Sequence, residues 1–332
     1  MELILANHSS FPRIGDSADL QLLRRTIGQF EKGQKGPADL RAAEDRMVEL
    51  ALQEQAEAGL DLVTDGLIRW YDPISHLAGK LAGARINGLL RFFDTNCYFR
   101  QPVIEARLER NGPLVVEEFE FARRKTSRPL KAVLTGPLTL ARHSIVGNGA
   151  EAGGAVVQKL VEEYAEALAL EVRALAAAGA PLIQIEEPVL LRHPEDLPLA
   201  RKCLETFSAR KGAAQLGLAV YFGDPGPVYD RLQALPVDML VLDFTYSRGL
   251  ADRVAASCSD KILGLGLVDG RNSKLERPET VAGEVERIAR GARAGRIHLT
   301  TSSGLEYLPR DRAVLKLKLL TRIKDSLMRN AR

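Results

Sequence analysis

The chain has 332 residues, 45% of them apolar, with 46 Lys and Arg against 43 Asp and Glu. That length allows one large α/β barrel or two smaller domains, and a formal net charge of +3 offers no basic field for nucleic acid or an anionic membrane. The start Met1-Glu2-Leu3-Ile4-Leu5 lacks a basic n-region, and no apolar run nears the roughly 20 residues of a membrane span. Cys97, Cys203 and Cys258 are far apart and odd in number, which fits a reducing cytoplasm without a disulfide framework.

The first strand is expected at Leu3 to Ala6, running into His8-Ser9-Ser10-Phe11-Pro12-Arg13-Ile14-Gly15. That loop is basic and ends in glycine, so it suits an anion as well as a plain turn. Asp19 to Phe30 and Ala38 to Ala58 read as helices, the second with an apolar stripe and Gly59 as its terminator. Leu60 to Val63 is the next strand, followed by Thr64-Asp65-Gly66 and then Arg69-Trp70-Tyr71-Asp72-Pro73. Trp70 and Tyr71 could form a stacking wall for a flat ligand or simply cover a rim.

Gly79 to Phe121 breaks the rhythm and reads as an inserted excursion of irregular structure and paired strands, with alternation in Leu114 to Phe121. At its centre Asp94, Thr95 and Asn96 lie among aromatics, a composition that argues against disorder. Leu130 to Leu134 is a strand ending in Thr135-Gly136-Pro137, and Ala155 to Ala178 is a long helix. Leu182 to Ile185 is an apolar run of the kind buried on both faces of a parallel sheet. It stops at Glu186-Glu187-Pro188, since proline cannot donate to a ladder. Further strands follow at Leu216 to Val220, Met239 to Leu242, Ile262 to Val268 and Arg296 to Leu299. They end respectively in Tyr221-Phe222-Gly223-Asp224, Asp243, Asp269-Gly270-Arg271-Asn272 and Thr300-Thr301-Ser302-Ser303. A helix over Arg312 to Leu327 closes the chain.

Eight strands, each leading to a helix and most ending in an acid, hydroxyl or glycine, make a single (β/α)8 TIM barrel over residues 1–332, with the insertion at about 79–121. Its active site is expected at the strands' carboxyl ends. A doubly wound sheet would rarely contain so many successive units.

The polar strand ends resemble those of the cobalamin-independent methionine synthase superfamily along nearly the whole chain. Phe11-Pro12-Arg13-Ile14-Gly15, Phe93-Asp94-Thr95-Asn96, Tyr221-Phe222-Gly223-Asp224 and above all Val268-Asp269-Gly270-Arg271-Asn272 are most like the family's amino-terminal barrel, which lacks the metal and is associated with folate. Where the zinc barrel of the family places a His-x-Cys pair, this chain has Leu218-Ala219-Val220. A cysteine of the last strand becomes Ser303, a glutamate of the sixth becomes Asp243, and the pterin-stacking tryptophan becomes His143. Zinc wants thiolate or imidazole ligands, so the resemblance implies no zinc site of that kind; His8, His143 and His298 with Asp243 could form another site, though their spacing does not point to one.

The resemblance implies a methyltransferase moving a methyl group between a reduced folate, a related pterin or a methyl-corrinoid and an acceptor such as homocysteine. Glu186, Glu187 and Asp243 are the candidate catalytic acids, since two adjacent carboxylates push one proton affinity up and an acid that keeps its proton can activate a leaving nitrogen. Arg13, Asp65, Trp70, Asp94, Asn96, His143, Tyr221, Asp224, Asp269, Arg271, Asn272, Ser302 and Ser303 are candidate binding residues. They are expected to converge on one pocket, with Arg13 gripping an acidic tail. Methylcobalamin on a partner corrinoid protein is a possible donor. The alternative is a non-catalytic folate-binding subunit that partners a second, zinc-bearing methionine-synthase-like barrel.

Overall fold

In a computed structural model the chain forms a (β/α)8 barrel, described for residues 2–147, 150–151, 154–247 and 249–330. In order come β1 (Glu2–Leu5), α1 (Leu22–Glu31), α2 (Pro37–Glu57), α3 (Ser75–Ala78), β2 (Ala82–Arg91), β3 (Tyr98–Glu109), α4 (Val116–Arg124), β4 (Ala132–Thr135), α5 (Pro137–Arg142), β5 (Ile145–Val146) and β6 (Ala150–Glu151). After these come α6 (Gly154–Ala177), β7 (Leu182–Glu186), α7 (Leu197–Ser208), β8 (Gln215–Val220), α8 (Tyr229–Gln233), β9 (Met239–Asp243), α9 (Leu250–Ala255), β10 (Ile262–Val268), α10 (Pro278–Ala292), β11 (Arg296–Thr301) and α11 (Arg310–Asn330).

Seven barrel strands run parallel in the order β1-β11-β10-β9-β8-β7-β4. The eighth position belongs to residues 62–63, which bridge to Ala6 on one side and to Leu130 on the other, both in parallel. The backbone bonds Leu62 N to Leu5 O and Lys131 N to Val63 O carry that closure. A barrel strand has both faces covered, so it can be apolar throughout; β4, β7 and β9 are buried at every residue. Ala6, Leu62, Leu182, Ala219, Met239 and Val241 fill the interior as a separate apolar layer.

The excursion differs from the sequence reading in one element. β2 and β3 do pair as an antiparallel hairpin, but Val116–Arg124 is a helix, not a strand. Glu171 of α6 explains how its start is fixed. Its buried carboxylate accepts the N–H groups of Leu114, Val115 and Val116 at 3.1, 2.7 and 2.7 Å and pairs with Arg110 at 2.6 Å. An anion at the first turn satisfies donors that have no partner within the helix. A short alternating stretch gives way here to a tertiary cap.

Among the described residues, four non-glycine residues have left-handed φ: Leu67 at 51°, Phe93 at 52°, Phe222 at 64° and Arg293 at 54°. Arg293 ends α10. The other three lie at the carboxyl-terminal mouth of the barrel, a backbone conformation that costs on the order of 1–3 kcal/mol and gathers at functional sites.

Candidate functional site

The centre of the mouth is built from strand ends. Glu186, the last residue of β7, is 5% exposed. Tyr221 donates its hydroxyl to Glu186 Oε2 at 2.8 Å, Gln184 donates to Oε1 at 3.0 Å, and His8 Nδ1 lies 3.4 Å from Oε1. Burial pushes this carboxyl up, but the bonds from His8, Tyr221 and Ser9 outweigh burial and hold it below its usual range. Lys131 fixes the floor, donating to the carbonyls of Asn7 and His8 and to Gln184 Oε1 at 2.9, 2.6 and 2.7 Å. Glu186 is thus an ionised carboxylate whose oxygens are already engaged.

Glu187 points elsewhere. It accepts Leu138 N at 2.9 Å, Thr139 N at 2.7 Å and Thr139 Oγ1 at 2.6 Å, so it caps α5. A Cβ on Gly136 would collide with its carboxyl, which is why glycine precedes Pro137. Its pKa is raised to about 7, chiefly by burial. The expectation that Glu186 and Glu187 act on each other as like charges is therefore corrected. Adjacent residues at the end of a strand point to opposite sides, one into the barrel and one toward a helix. Asp243 is also committed: its carboxylate accepts the Thr245 N–H at 2.8 Å, the Thr245 hydroxyl at 2.6 Å and Phe222 N at 3.3 Å, and burial raises its pKa.

The predicted binding residues share the mouth but not one cavity. Arg271 Nη1 meets Asp94 Oδ1 at 3.1 Å, and its guanidinium lies 4.9 Å from the centroids of both the Phe222 and Tyr246 rings. This contact brings the tip of the β2–β3 hairpin over the loop after β10. Phe92, Phe93 and Phe99 from the hairpin pack around His143, whose Nδ1 donates to Thr139 O at 2.7 Å. Asp269 and Asn272 each accept a backbone N–H two residues on, from Arg271 and Lys274, as turn-forming side chains do. Asp224 does the same for Gly226 and is exposed, as is Asn96. Asp65 accepts Leu67 N at 3.0 Å and is raised to about 6, first by burial. Ser302 Oγ accepts Gly270 N at 3.1 Å, while Ser303 is fully buried and its hydroxyl donates to Gly304 O at 3.3 Å.

A cavity of about 690 Å³ opens beside this cluster, between the loops after β1, after residues 62–63 and after β11, with the hairpin tip as its fourth wall. Of the residues singled out from sequence, Arg13, Trp70 and Tyr71 line it. Trp70 is not a free stacking face. His76 stacks on it with ring centroids 4.9 Å apart, and its Nε1 donates to Glu118 at 3.2 Å. Arg13 donates Nε to Ile68 O at 2.7 Å and lies over Tyr71, leaving Nη2 buried with no partner among the described residues. Burial lowers its pKa.

Sequence reasoning missed Ser10, Cys97, Glu306, Tyr307 and Arg310 in this wall. Ser10 Oγ, Glu306 Oε2 and Arg310 Nη2 are buried atoms without hydrogen-bond partners. The available signal was Gly304-Leu305-Glu306-Tyr307, an acid beside an aromatic two residues past a strand-end glycine. Its position after β11 faces the first loop only because β11 pairs with β1.

The donors at the mouth do not suit zinc. Cys97 is the cysteine of the cavity wall, and burial pushes its thiol up to about 11. His8 and His143 are committed to Glu186 and Thr139. Among the described residues the group of three potential ligands close enough to share an ion is His193, Glu195 and Asp196. It is partly exposed and outside the cavity, and Arg142 occupies Asp196 at 2.7 Å.

An eight-stranded barrel with a polar mouth and an adjoining chamber defines a ligand-binding or catalytic TIM barrel. The family model described as "Cobalamin-independent synthase, N-terminal domain" matches residues 79–292, and the chain belongs to that family. A methionine synthase of Saccharolobus solfataricus is 29% identical over 307 residues, covering 92% of this chain and 90% of that protein. One of Thermococcus kodakarensis is 28% identical, covering 94% and 90%. The solved structure of a B12-independent methionine synthase from Shewanella sp. W3-18-1, in complex with selenomethionine, superposes with a TM-score of 0.80 at 20% identity, covering 100% of this chain and 99% of that one. At that identity the likeness speaks for the fold.

Proposed function

We propose that this protein is a methyltransferase of the cobalamin-independent methionine synthase type, formed by a single barrel domain. It moves a methyl group from a reduced folate or related pterin to a thiol such as homocysteine, with no protein-held zinc. The observation that carries the reading is the mouth cavity, lined by a half-buried Arg13 whose Nη2 is buried without a hydrogen-bond partner among the described residues. A buried donor without a partner is costly, and an acidic group on a ligand would relieve that cost through a bidentate contact. The cavity lies within the range of about 300–1,000 Å³ typical of small-molecule sites. The methionine synthase relatives support the reaction class.

In this reading Arg13 holds the acidic end of the donor, Tyr71 and Trp70 wall its apolar part, and the hairpin tip excludes water. Excluding water strengthens each polar contact inside. The acceptor thiol receives no activation from Cys97 or a metal, so its own ionisation limits the rate. That lack of soft donors favours a second reading, a folate-binding subunit that works with a separate zinc-bearing barrel or with a corrinoid protein. The two separate in one experiment. Purified protein, freed of metal by chelation, is mixed with 5-methyltetrahydrofolate and homocysteine, and methionine is measured. Turnover supports the enzyme; binding of the folate with no methionine formed supports the subunit.

A further inference from the structure

Of the acids at or near the mouth, the strand-end carboxylates Glu186, Glu187 and Asp243 are engaged. Glu186 holds Tyr221, Gln184 and His8. Glu187 caps α5, and Asp243 closes a turn at Thr245. Glu306 is different. It lines the cavity, and its Oε2 is buried without a partner among the described residues. Ser10 Oγ is in the same condition in the same wall, and a Cβ on Gly304 would collide with both atoms, so the two oxygens bracket one point. Gly304 leaves that point open.

We propose that Glu306, with Ser10 as its positioning neighbour, is the proton-donating acid of the methyl-transfer step. The inference rests on the methyltransferase reading and names the residue that serves it. Burial of Oε2 without a partner favours a carboxyl that keeps its proton, and it outweighs the contacts from Tyr307 and the Glu306 backbone that act the other way. Burial pushes Glu306 up to about 7, the range in which a general acid is most effective near neutral pH. Glu186 reaches it from β7, Tyr221 from the end of β8, Cys97 from the hairpin tip and Tyr307 from its own loop, of which Glu186 pushes it up and Tyr307 down. Arg13 and Arg310 line the same cavity, but among the described residues neither forms an ion pair with it. The step balances. The C–N bond of the donor breaks with its electron pair on nitrogen, which takes the proton of Glu306. The thiol sulfur bonds to the methyl carbon, and the thiol proton restores the acid.

The test compares Glu306→Gln, Glu306→Asp, Ser10→Ala and Glu186→Gln with wild type in methyl transfer from 5-methyltetrahydrofolate to homocysteine, from about pH 5.5 to 8.5, together with folate affinity. We expect the wild-type rate constant to rise with the ionising thiol and to level off near neutrality, where Glu306 loses its proton, while Glu306→Gln lacks that break and keeps rising. Glu306→Gln should lose about 100-fold in kcat with folate affinity nearly kept, while Glu306→Asp recovers part of the rate and Ser10→Ala loses less than Glu306→Gln. Infrared titration of the ligand-free protein should show a protonated carboxyl that vanishes in Glu306→Gln. The proposal is overturned if Glu306→Gln stays within about threefold of wild type with the same pH profile while Glu186→Gln carries the loss. That result leaves the methyltransferase reading standing. Wild-type protein that transfers no methyl group removes both.

Discussion

Arg271 reaches across 177 residues of sequence to bind Asp94, Nη1 to Oδ1 at 3.1 Å, and so ties the hairpin tip to the loop after β10. The Asp94 side chain is 61% exposed, so the ion pair itself contributes little, within about 1 kcal/mol. The guanidinium also lies against Phe222 and Tyr246. Asp94→Asn should therefore leave global stability nearly unchanged but speed amide exchange in residues 92–97. Arg271→Ala should do so more strongly. Exchange unchanged in both variants would show that the aromatic cluster alone holds the tip.

Glu187 is expected to be structural. Glu187→Ala removes the acceptor for two backbone N–H groups and one hydroxyl at the start of α5. The loss of a helix cap and the orphaned donors should cost about 2 kcal/mol or more in chemical denaturation. Folate affinity should fall much less than it does in Arg13→Gln.

Two acids should move stability with pH in opposite directions. Glu118 accepts His76, Lys80 and Trp70, and although burial pushes it up, His76 and Lys80 hold it at about 2 against a usual 4.5. Its contribution is present above pH 4.5 and is lost as pH falls toward 2. Glu306 is raised to about 7, so the folded state binds a proton that the unfolded chain releases near 4.5. Its contribution is full below 4.5 and is lost as pH rises through 7. Denaturation of Glu306→Gln and wild type at a series of pH values should show the variant gaining relative stability between those limits. A constant difference would contradict the assignment.

Trp70 is the chain's only tryptophan and borders the cavity. A ligand entering should change its fluorescence, and Glu118→Ala should shift the resting emission by releasing Nε1. Binding detected by calorimetry without any fluorescence change would place the ligand away from this wall.

The barrel was legible because each strand is a short apolar run ended by glycine, hydroxyl or acid, a pattern set by burial on both faces. Even residues 62–63, held only by bridges to Ala6 and Leu130, stood out as Leu60 to Val63. The excursion's hairpin was legible too, but not α4, whose start depends on Glu171 far along the chain. The site was read as to its face and not as to its cavity. Strand-end acids such as Asp269 and Asp224 look alike in sequence whether they close a turn or meet a ligand, and here they close turns. Glu306 and Ser10 meet only because β11 lies beside β1, a juxtaposition that no local pattern encodes.

The central claim is that Arg13 and the cavity around it receive the ligand. Isothermal titration of wild type, Arg13→Gln and Asp269→Asn with 5-methyltetrahydrofolate tests it most directly. We expect saturable binding by wild type, at least about tenfold weaker binding by Arg13→Gln, in keeping with a lost charge-assisted contact, and near-normal binding by Asp269→Asn. Undiminished binding by Arg13→Gln together with loss in Asp269→Asn would contradict it and move the site to the loop after β10.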